Sequence, residues 1–178
     1  MALSILLLNE GMRCMKQIQS AELIGKEAAT MIGLKWEGTF AEAGAGGIRK
    51  VQTEFKRRLH EIKNMMHPDE LLGLSYHMTE TGFIHYVAVQ VDDVASPNVP
   101  EGMVQFEVPA HDYVKYTHIK GESIDSSYHL IYAWIEEQGL CLSNEPLTHY
   151  EVYPMKQDSN DHEPEFNIFV PVNKKKLE

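Results

Sequence analysis

The stretch on which the fold prediction rests is Leu147-Thr148-His149-Tyr150-Glu151-Val152-Tyr153-Pro154. Aromatic and β-branched residues dominate it and a proline ends it, which is typical of a β-strand. Side chains two residues apart share a face of a strand, so Glu151 is predicted to share a face with Leu147 and Tyr153. A carboxylate on such an apolar face is either solvated, at a cleft or on an edge strand, or buried with a partner.

The order of predicted elements on either side of this stretch is strand, strand, helix, strand, strand, and it occurs twice. A linker at 92–101, rich in proline and polar residues, separates the two runs. The predicted strands lie at 17–24, 28–36, 71–77, 83–91, 103–108, 113–119, 147–153 and 166–172.

Both helices have start signals and apolar stripes. The segment Thr39 to Glu42 has the form of a capping box, and Ser123 is predicted to cap the second helix, which stops at Gly139. A glycine-rich segment at 44–47 indicates a loose first turn or close helix packing, since no Walker or dinucleotide pattern accompanies it. Steps of three and four place these apolar residues on one face of each helix: Ile48, Val51, Phe55, Leu59 and Ile62, and Ile124, Tyr128, Ile131 and Ile135.

The repeated order predicts an internal duplication of one ββαββ unit. The same spacing separates Gly38 from Gly121 and Phe83 from Phe166, while Tyr76 is aligned with Tyr153 and Leu74 with Glu151. The predicted fold class is therefore α+β: an antiparallel sheet with two helices on one face and a cleft between pseudo-repeats 17–92 and 103–173. An apolar residue in one half and a carboxylate in the other favour a special role for Glu151.

Length and composition indicate one soluble globular domain. The chain has 178 residues, of which 43% are hydrophobic and 24% charged. We expect an N-terminal extension at 1–14, a single domain at 15–173 and a tail at 174–178 that ends in a probable expression-vector scar. The apolar run at 3–8 is too short to span a bilayer, so no membrane association is predicted.

Charge and cysteine content narrow the function classes. The formal net charge of -10 argues against a nucleic-acid-binding surface, which needs a basic patch. Two cysteines, Cys14 and Cys141, stand in no metal or redox spacing, which favours a cytoplasmic location. There is no HExxH pattern or Cys/His cluster, so no metal or cofactor is predicted.

Four segments in the second half carry a resemblance to a known family. They are Val108-Pro109-Ala110 leading into Tyr113, Gly121 followed by 128–134 and Gly139, the strand core 149–153, and 166–172. In this order they resemble the GyrI-like small-molecule-binding domain, which is also the effector-binding domain of AraC-type and multidrug-responsive bacterial transcription activators. The likeness covers roughly 17–173 and is strongest from 103 onward.

The resemblance implies a binder of hydrophobic, often cationic compounds in a cleft between the repeats. The family's glutamate falls on Glu151, and its C-terminal aromatic falls on Phe169, where relatives often carry a tyrosine. Plain core packing is the alternative interpretation for Trp36, Tyr86, Tyr113, Tyr132 and Trp134. The other predicted ligand-binding residues are Tyr153, Tyr113, Trp134, Tyr132, Tyr86 and Trp36.

Three functions stay open at this point. The first function is a stand-alone binder that acts on a regulator in trans or sequesters a toxin. It is suggested by the 14 to 16 residues before the first predicted strand, which are too few for a three-helix DNA-binding unit. The second is a hydrolase of reactive small molecules, with Glu151 and Tyr113 or Tyr153 as acid and base. The third is a gyrase-inhibitor-like protein-interaction module.

Overall fold

The computed structural model describes residues 21–92 and 98–174. The predicted extension 1–14, the beginning of the first predicted strand, part of the linker and the last four residues of the tail lie outside the described residues. The strands are β1 Glu22–Lys26, β2 Ala29–Thr39, β3 Glu70–Tyr76, β4 Gly82–Val91, β5 Val104–Val108, β6 His111–His118, β7 Leu140–Leu142, β8 Leu147–Pro154 and β9 Phe166–Lys174. The helices are α1 Phe40–Gly44, α2 Gly47–Arg58 and α3 Ile124–Glu137, with a 3-10 turn at Leu59–Glu61.

The nine strands of the described residues form one antiparallel arrangement, which confirms the α+β fold class. The order across the sheet is β1-β6-β9-β8-β3-β4-β2-β5, and β7 pairs with β9. When β3 is exchanged with β8, β4 with β9, β2 with β6 and β1 with β5, the same order is obtained in the opposite direction. This arrangement fits a duplicated unit, while the superposition of 28–91 on 113–172 stays a prediction.

The sheet curls until its two edges approach each other. Strands β1 and β2 are joined by only two residues, 27–28, and β5 and β6 by only 109–110, yet each pair stands near opposite ends of the strand order. A two-residue connection spans at most about 10 Å, so the ends of the sheet must be close together. The concave face thus encloses an apolar cluster that includes Met31, Leu74, Tyr113 and Phe169.

The helices cover the convex face in two separate groups. Helix α2 packs Phe55, which is fully buried, against Ile32 and Val87 of the first half. Helix α3 packs Ile131 against strands of the second half, including Ile168. Because each helix covers its own half, the central strands β3 and β8 lie uncovered between them. No helix in the described part of the chain is long and apolar enough to cross a membrane.

Strand alternation corrects part of the sequence alignment. Glu151 and Tyr153 do share a face, but Leu147 belongs to the concave cluster, because the pairing of β8 with β3 shifts by one residue at Ser75/Tyr76. The alignment of Leu74 with Glu151 is also wrong: Leu74 is on the concave face, whereas Glu151 faces the helices. A twofold axis through the sheet preserves faces, so these two positions cannot be equivalent.

The first helical region shows how the chain begins and interrupts a helix. The helix predicted after Thr39 is divided into α1 and α2, and Gly46 between them has a φ of 93°, a conformation that suits glycine. A Cβ on Gly47 would lie 2.9 Å from the indole nitrogen of Trp36. Close helix packing therefore explains this glycine.

The capping box at Thr39 gives the first testable prediction. The Thr39 side chain accepts from the Glu42 amide at 3.2 Å, and the Glu42 carboxylate accepts from the Thr39 amide at 2.8 Å. Thr39→Ala should therefore lower the free energy of unfolding by about 1 kcal/mol. The Ser123 side chain makes no capping bond among the described residues, so Ser123→Ala should change it by less than about 0.5 kcal/mol. Urea unfolding of both variants checks this, and equal losses would contradict it.

Candidate functional site

A cavity of about 690 Å³ lies over the central strands, between the two helical groups. Strands β3, β4 and β8 form its floor, helices α1 and α2 one wall and α3 the other, and residues 157–164 between β8 and β9 close a further side. This is the cleft between the two halves that the duplicated element order predicts. The side chains that line the floor are Leu71, Ser75, Phe83, His85, His149, Glu151 and Tyr153.

Glu151 stands on the floor of the cavity with two phenol donors. The hydroxyl of Tyr128 donates to its Oε1 at 2.5 Å, and the hydroxyl of Tyr153 donates to its Oε2 at 2.9 Å. Tyr153 reaches it from two residues along the same strand, while Tyr128 reaches down from α3. Across the sheet Glu151 pairs with Gly73, whose missing side chain leaves the carboxylate open to the cavity.

Burial controls the ionisation of this group. Desolvation raises the pKa of Glu151, and the hydrogen bonds from Tyr128 and Tyr153 oppose that rise without cancelling it. The pKa values of both phenols are raised well above their ordinary range, first by burial and then by the neighbouring carboxylate. Both tyrosines therefore stay protonated near neutral pH and act as hydrogen-bond donors.

A second polar group on the floor is His149, which precedes Glu151 by two residues. Its Nε2 lies 2.6 Å from the hydroxyl of Tyr132, and its ring packs edge-on against Tyr128 at 5.0 Å. Burial lowers the pKa of His149 to about 4, so the ring is neutral near pH 7. Tyr128 and Tyr132 are one turn apart on α3 and stack at 6.4 Å, which gives the cavity an aromatic wall.

The third polar group is His85 on β4, which is only 2% exposed. Its Nδ1 lies 3.0 Å from the Ser75 hydroxyl, and burial lowers its pKa to about 4. Its Nε2 has no hydrogen-bond partner among the described residues. A Cβ on Gly73 would lie 3.2 Å from this nitrogen and 3.2 Å from Glu151 Oε2, so Gly73 keeps open the space that the two groups flank.

The mouth of the cavity carries charges of both signs. Arg49 and Lys56 line it from α2, and Lys56 Nζ donates to the backbone oxygen of Gln157 at 2.5 Å. Asp125 and Asp158 line it from the other side. Within residues 21–92 and 98–174, no group of three or more His, Cys, Asp or Glu side chains is placed to hold a metal ion.

The structure brings some of the predicted ligand-binding residues together and separates others. Glu151, Tyr153 and Tyr132 line the cavity. Trp36 lies one layer behind, with its ring 5.2 Å from that of Phe83, which does line it. Trp134 packs instead with the apolar cluster under α3.

Three predicted residues, Tyr113, Phe169 and Tyr86, lie on the opposite, concave face of the sheet. Phe169 on β9 pairs with Tyr150, the neighbour of Glu151 on β8, and Tyr113 on β6 pairs with the residue two positions after Phe169. Because neighbouring positions of a strand point to opposite faces, both side chains lie on the face opposite Glu151. Phe169 forms part of a different arrangement: the Lys26 ammonium lies 4.6 Å from its ring centre and 4.7 Å from that of Tyr150. Its missing hydroxyl therefore has no bearing on the cavity.

The sequence prediction missed Tyr128, His149, His85 and Ser75. Two signals were available: His149 precedes Glu151 by two residues, and Tyr128 is on the apolar stripe of the predicted second helix. The place of His85 in the cavity could not be predicted from the sequence, because it depends on the pairing of β4 with β3 and of β3 with β8.

A curled antiparallel sheet, with helices on one face and a cavity over its central strands, defines a domain of the GyrI-like effector-binding class. The profile of the family described as integron-associated effector binding protein matches residues 22–172. The chain belongs to this family.

Its similarity to regulators supports the same assignment. It is 33% identical over 123 residues to the transcriptional regulator BrlR of Pseudomonas aeruginosa, which covers 67% of this chain and 43% of BrlR. The chain thus spans less than half the length of that relative. The family is one of effector-binding domains linked to transcription regulators.

Two solved structures share the fold. The crystal structure of the EcmrR C-terminal domain has a TM-score of 0.65 at 15% identity, covering 89% of this chain and 99% of that one. The structure of SAV2435 bound to tetraphenylphosphonium has a TM-score of 0.63 at 15% identity, covering 86% of this chain and 94% of that one. At these identities the likeness concerns the fold alone.

Proposed function

We propose that this chain is an effector-binding domain whose cavity takes a small hydrophobic cation, in transcription regulation or in a drug or toxin response. The observation that carries the proposal is Glu151, a desolvated carboxylate on the floor of an aromatic cavity. Among the described residues no Lys, Arg or His nitrogen forms an ion pair with it; its hydrogen-bond partners are the neutral phenols of Tyr128 and Tyr153.

The energetics of this arrangement favour a cationic ligand. An ionised carboxylate in a desolvated site is costly unless a charge or strong donors compensate it. A ligand cation supplies that compensation, and the tyrosine rings around Glu151 can add about 0.5–2 kcal/mol through cation–π contact. The structure of SAV2435, which shares the fold, contains tetraphenylphosphonium, and this supports a lipophilic cation as the first ligand to test.

The test is calorimetric titration of the wild-type protein with tetraphenylphosphonium and with neutral triphenylphosphine oxide. We expect the cation to bind more tightly by about ten- to a hundred-fold, the range for a charge-assisted contact. Native mass spectrometry of protein purified from its own host should show a co-purifying cation. Equal affinities for the two probes, or no binding of either, would overturn the proposal.

The raised pKa of Glu151 gives a prediction about pH. The carboxylate must be ionised to bind a cation, so affinity for tetraphenylphosphonium is present above the raised pKa and is lost as pH falls through it. Tyr128→Phe removes a bond that holds the pKa down, so the midpoint of this loss should move to higher pH. Titrations between pH 4 and 9 check the shift. Tyr116→Phe, on a tyrosine outside the cavity, is the control, and an unmoved midpoint in Tyr128→Phe would contradict the assignment.

Hydrolysis is the second candidate, because Glu151 is placed beside two phenols in the same cavity. The predicted pair of Glu151 with Tyr113 is not available, since Tyr113 lies on the other face of the sheet. An acid–base pair would have to use Tyr128 or Tyr153 with Glu151. Turnover of a reactive ester or epoxide that Glu151→Gln abolishes would favour this function. Gyrase inhibition stays a prediction from the family resemblance.

A further inference from the structure

His85 Nε2 is a buried polar atom that has no hydrogen-bond partner in the described part of the chain. The side chain is 2% exposed, lines the cavity and has only one ring nitrogen in a hydrogen bond among the described residues, that of Nδ1 with Ser75. Buried polar atoms in folded proteins are nearly always satisfied, and an unsatisfied one needs an explanation. Packing alone would be served as well by an apolar ring of the same size.

Geometry links this nitrogen to Glu151. His85 Nε2 and Glu151 Oε2 flank the same gap, each 3.2 Å from the position that a Cβ on Gly73 would take. His85 Nε2 is itself buried, so a ligand group has to enter the narrow space beside Gly73 to contact both atoms. The carboxylate supplies the negative charge, and the imidazole supplies a single directional hydrogen bond.

The protonation state of His85 determines whether a ligand must donate or accept a hydrogen bond at Nε2. The lowered pKa keeps the ring neutral at pH 7, so one nitrogen donates and the other accepts. The Ser75 hydroxyl can accept from Nδ1–H or donate to Nδ1, so its contact fits both tautomers. We take the tautomer in which Nδ1 carries the hydrogen and Nε2 is the acceptor. A ligand that pairs with it must then carry a hydrogen on or beside its positive centre, as a protonated amine does and a quaternary ammonium or phosphonium does not.

We propose that His85 is a specificity-determining residue that selects protonated amines among the cationic ligands of this cavity. The ligand N–H donates to His85 Nε2 while its positive charge faces Glu151. This inference rests on the proposed function, because it assumes a cation in the cavity. A requirement for a cation does not by itself select protonated amines or involve His85.

The experiment uses a matched pair of probes: an aryl-alkyl dimethylamine, protonated at pH 7, and its trimethylammonium derivative. The wild-type protein should bind the protonated amine about three- to ten-fold more tightly, the range for one neutral hydrogen bond. His85→Phe, which keeps a ring of similar size, should bring the ratio close to one. Its affinity for the trimethylammonium probe should change little.

His118→Phe is the matched control. His118 is also a buried histidine with Nδ1 bonded to a serine hydroxyl, that of Ser127 at 2.8 Å, but it does not line this cavity. It should keep the wild-type ratio. Should His85→Phe fail to fold, as judged by thermal melting, Ser75→Ala is the second variant, and it should lower the ratio because Nδ1 loses its partner.

The outcomes separate the two proposals. A wild-type ratio near one, with both amines still preferred over a neutral analogue, would overturn the role of His85 and leave the cation-binding proposal in place. Failure of both cations to bind would overturn the proposed function and this inference with it. A ratio that survives both His85→Phe and Ser75→Ala, or that falls equally in His118→Phe, would also overturn the inference.

Discussion

Glu151→Gln is expected to weaken tetraphenylphosphonium binding by about 1.5–3 kcal/mol, or roughly ten- to a hundred-fold. The substitution keeps the shape of the side chain and removes its charge. The amide that it introduces can still bond to the hydroxyls of Tyr128 and Tyr153, so the floor of the cavity should keep its form. Affinity for neutral triphenylphosphine oxide should be nearly unchanged. Calorimetric titration of both proteins with both probes makes the comparison.

Folding stability gives this variant a second, independent readout. Because burial raises the pKa of Glu151, the folded chain keeps its proton to higher pH than the unfolded chain does. Ionisation therefore costs stability as pH rises from the unfolded pKa through the folded one. The free energy of unfolding of Glu151→Gln should be equal to or higher than that of the wild type at pH 7–8, and this difference should shrink toward pH 4.

The control is Glu107→Gln, which removes the same charge from an exposed position on β5, outside this cavity. It should leave the affinity for both probes unchanged, which excludes an effect of net charge. If Glu151→Gln lowers the affinity for the two probes equally, the residue acts through shape or stability, and the cation-binding role is wrong.

Gly73→Ala is expected to weaken every ligand of the cavity, charged or neutral, by about ten- to a hundred-fold. The added Cβ would lie 3.1 Å from His85 Cε1 and 3.2 Å from Glu151 Oε2, closer than ordinary contact. Both side chains must then shift by a few tenths of an ångström, and the gap between them narrows. The loss of one charge-assisted contact there corresponds to about 1.5–3 kcal/mol of binding free energy. Titration with the same two probes should show parallel losses, in contrast to the charge-selective loss in Glu151→Gln.

Gly25→Ala is the matched control for this glycine. Its Cβ would meet Asp112 Oδ1 at 3.5 Å, an ordinary contact, on a strand far from the cavity in the sheet order. It should leave both affinities unchanged. Wild-type affinity in Gly73→Ala would show that ligands do not occupy the space between His85 and Glu151.

Local pattern was sufficient to predict the elements of the fold. The alternation from Leu147 to Tyr153, the capping box at Thr39 and the apolar stripe that contains Phe55 depend on residues close together in the chain. Most elements lie within a few residues of their predicted positions. The three-residue strand β7 was missed, because it is too short to show a period.

The faces of the strands could be predicted only in part. A single bulge at Ser75/Tyr76 places Leu147 on the face opposite Glu151, although two-residue spacing puts them together. Such a shift depends on the partner strand and leaves no mark in the sequence of either strand. The face that a side chain occupies in a sheet depends on strand pairing. For this reason the sequence alone does not separate aromatic residues of the concave cluster, such as Tyr113, from those of the cavity.

The sequence by itself determined the α+β class and the repeated order of elements, because each element follows from neighbours within a few residues. It also singled out Glu151 as a carboxylate that shares an apolar strand face with Tyr153. Only the tertiary structure decided that Tyr128 and Tyr153 hold that carboxylate and that His85 faces it across Gly73. Those contacts join α3, β8, β3 and β4, which are separated along the chain and meet through strand pairing. Pairing register fixes which side chains share a gap, and register is a property of two strands together.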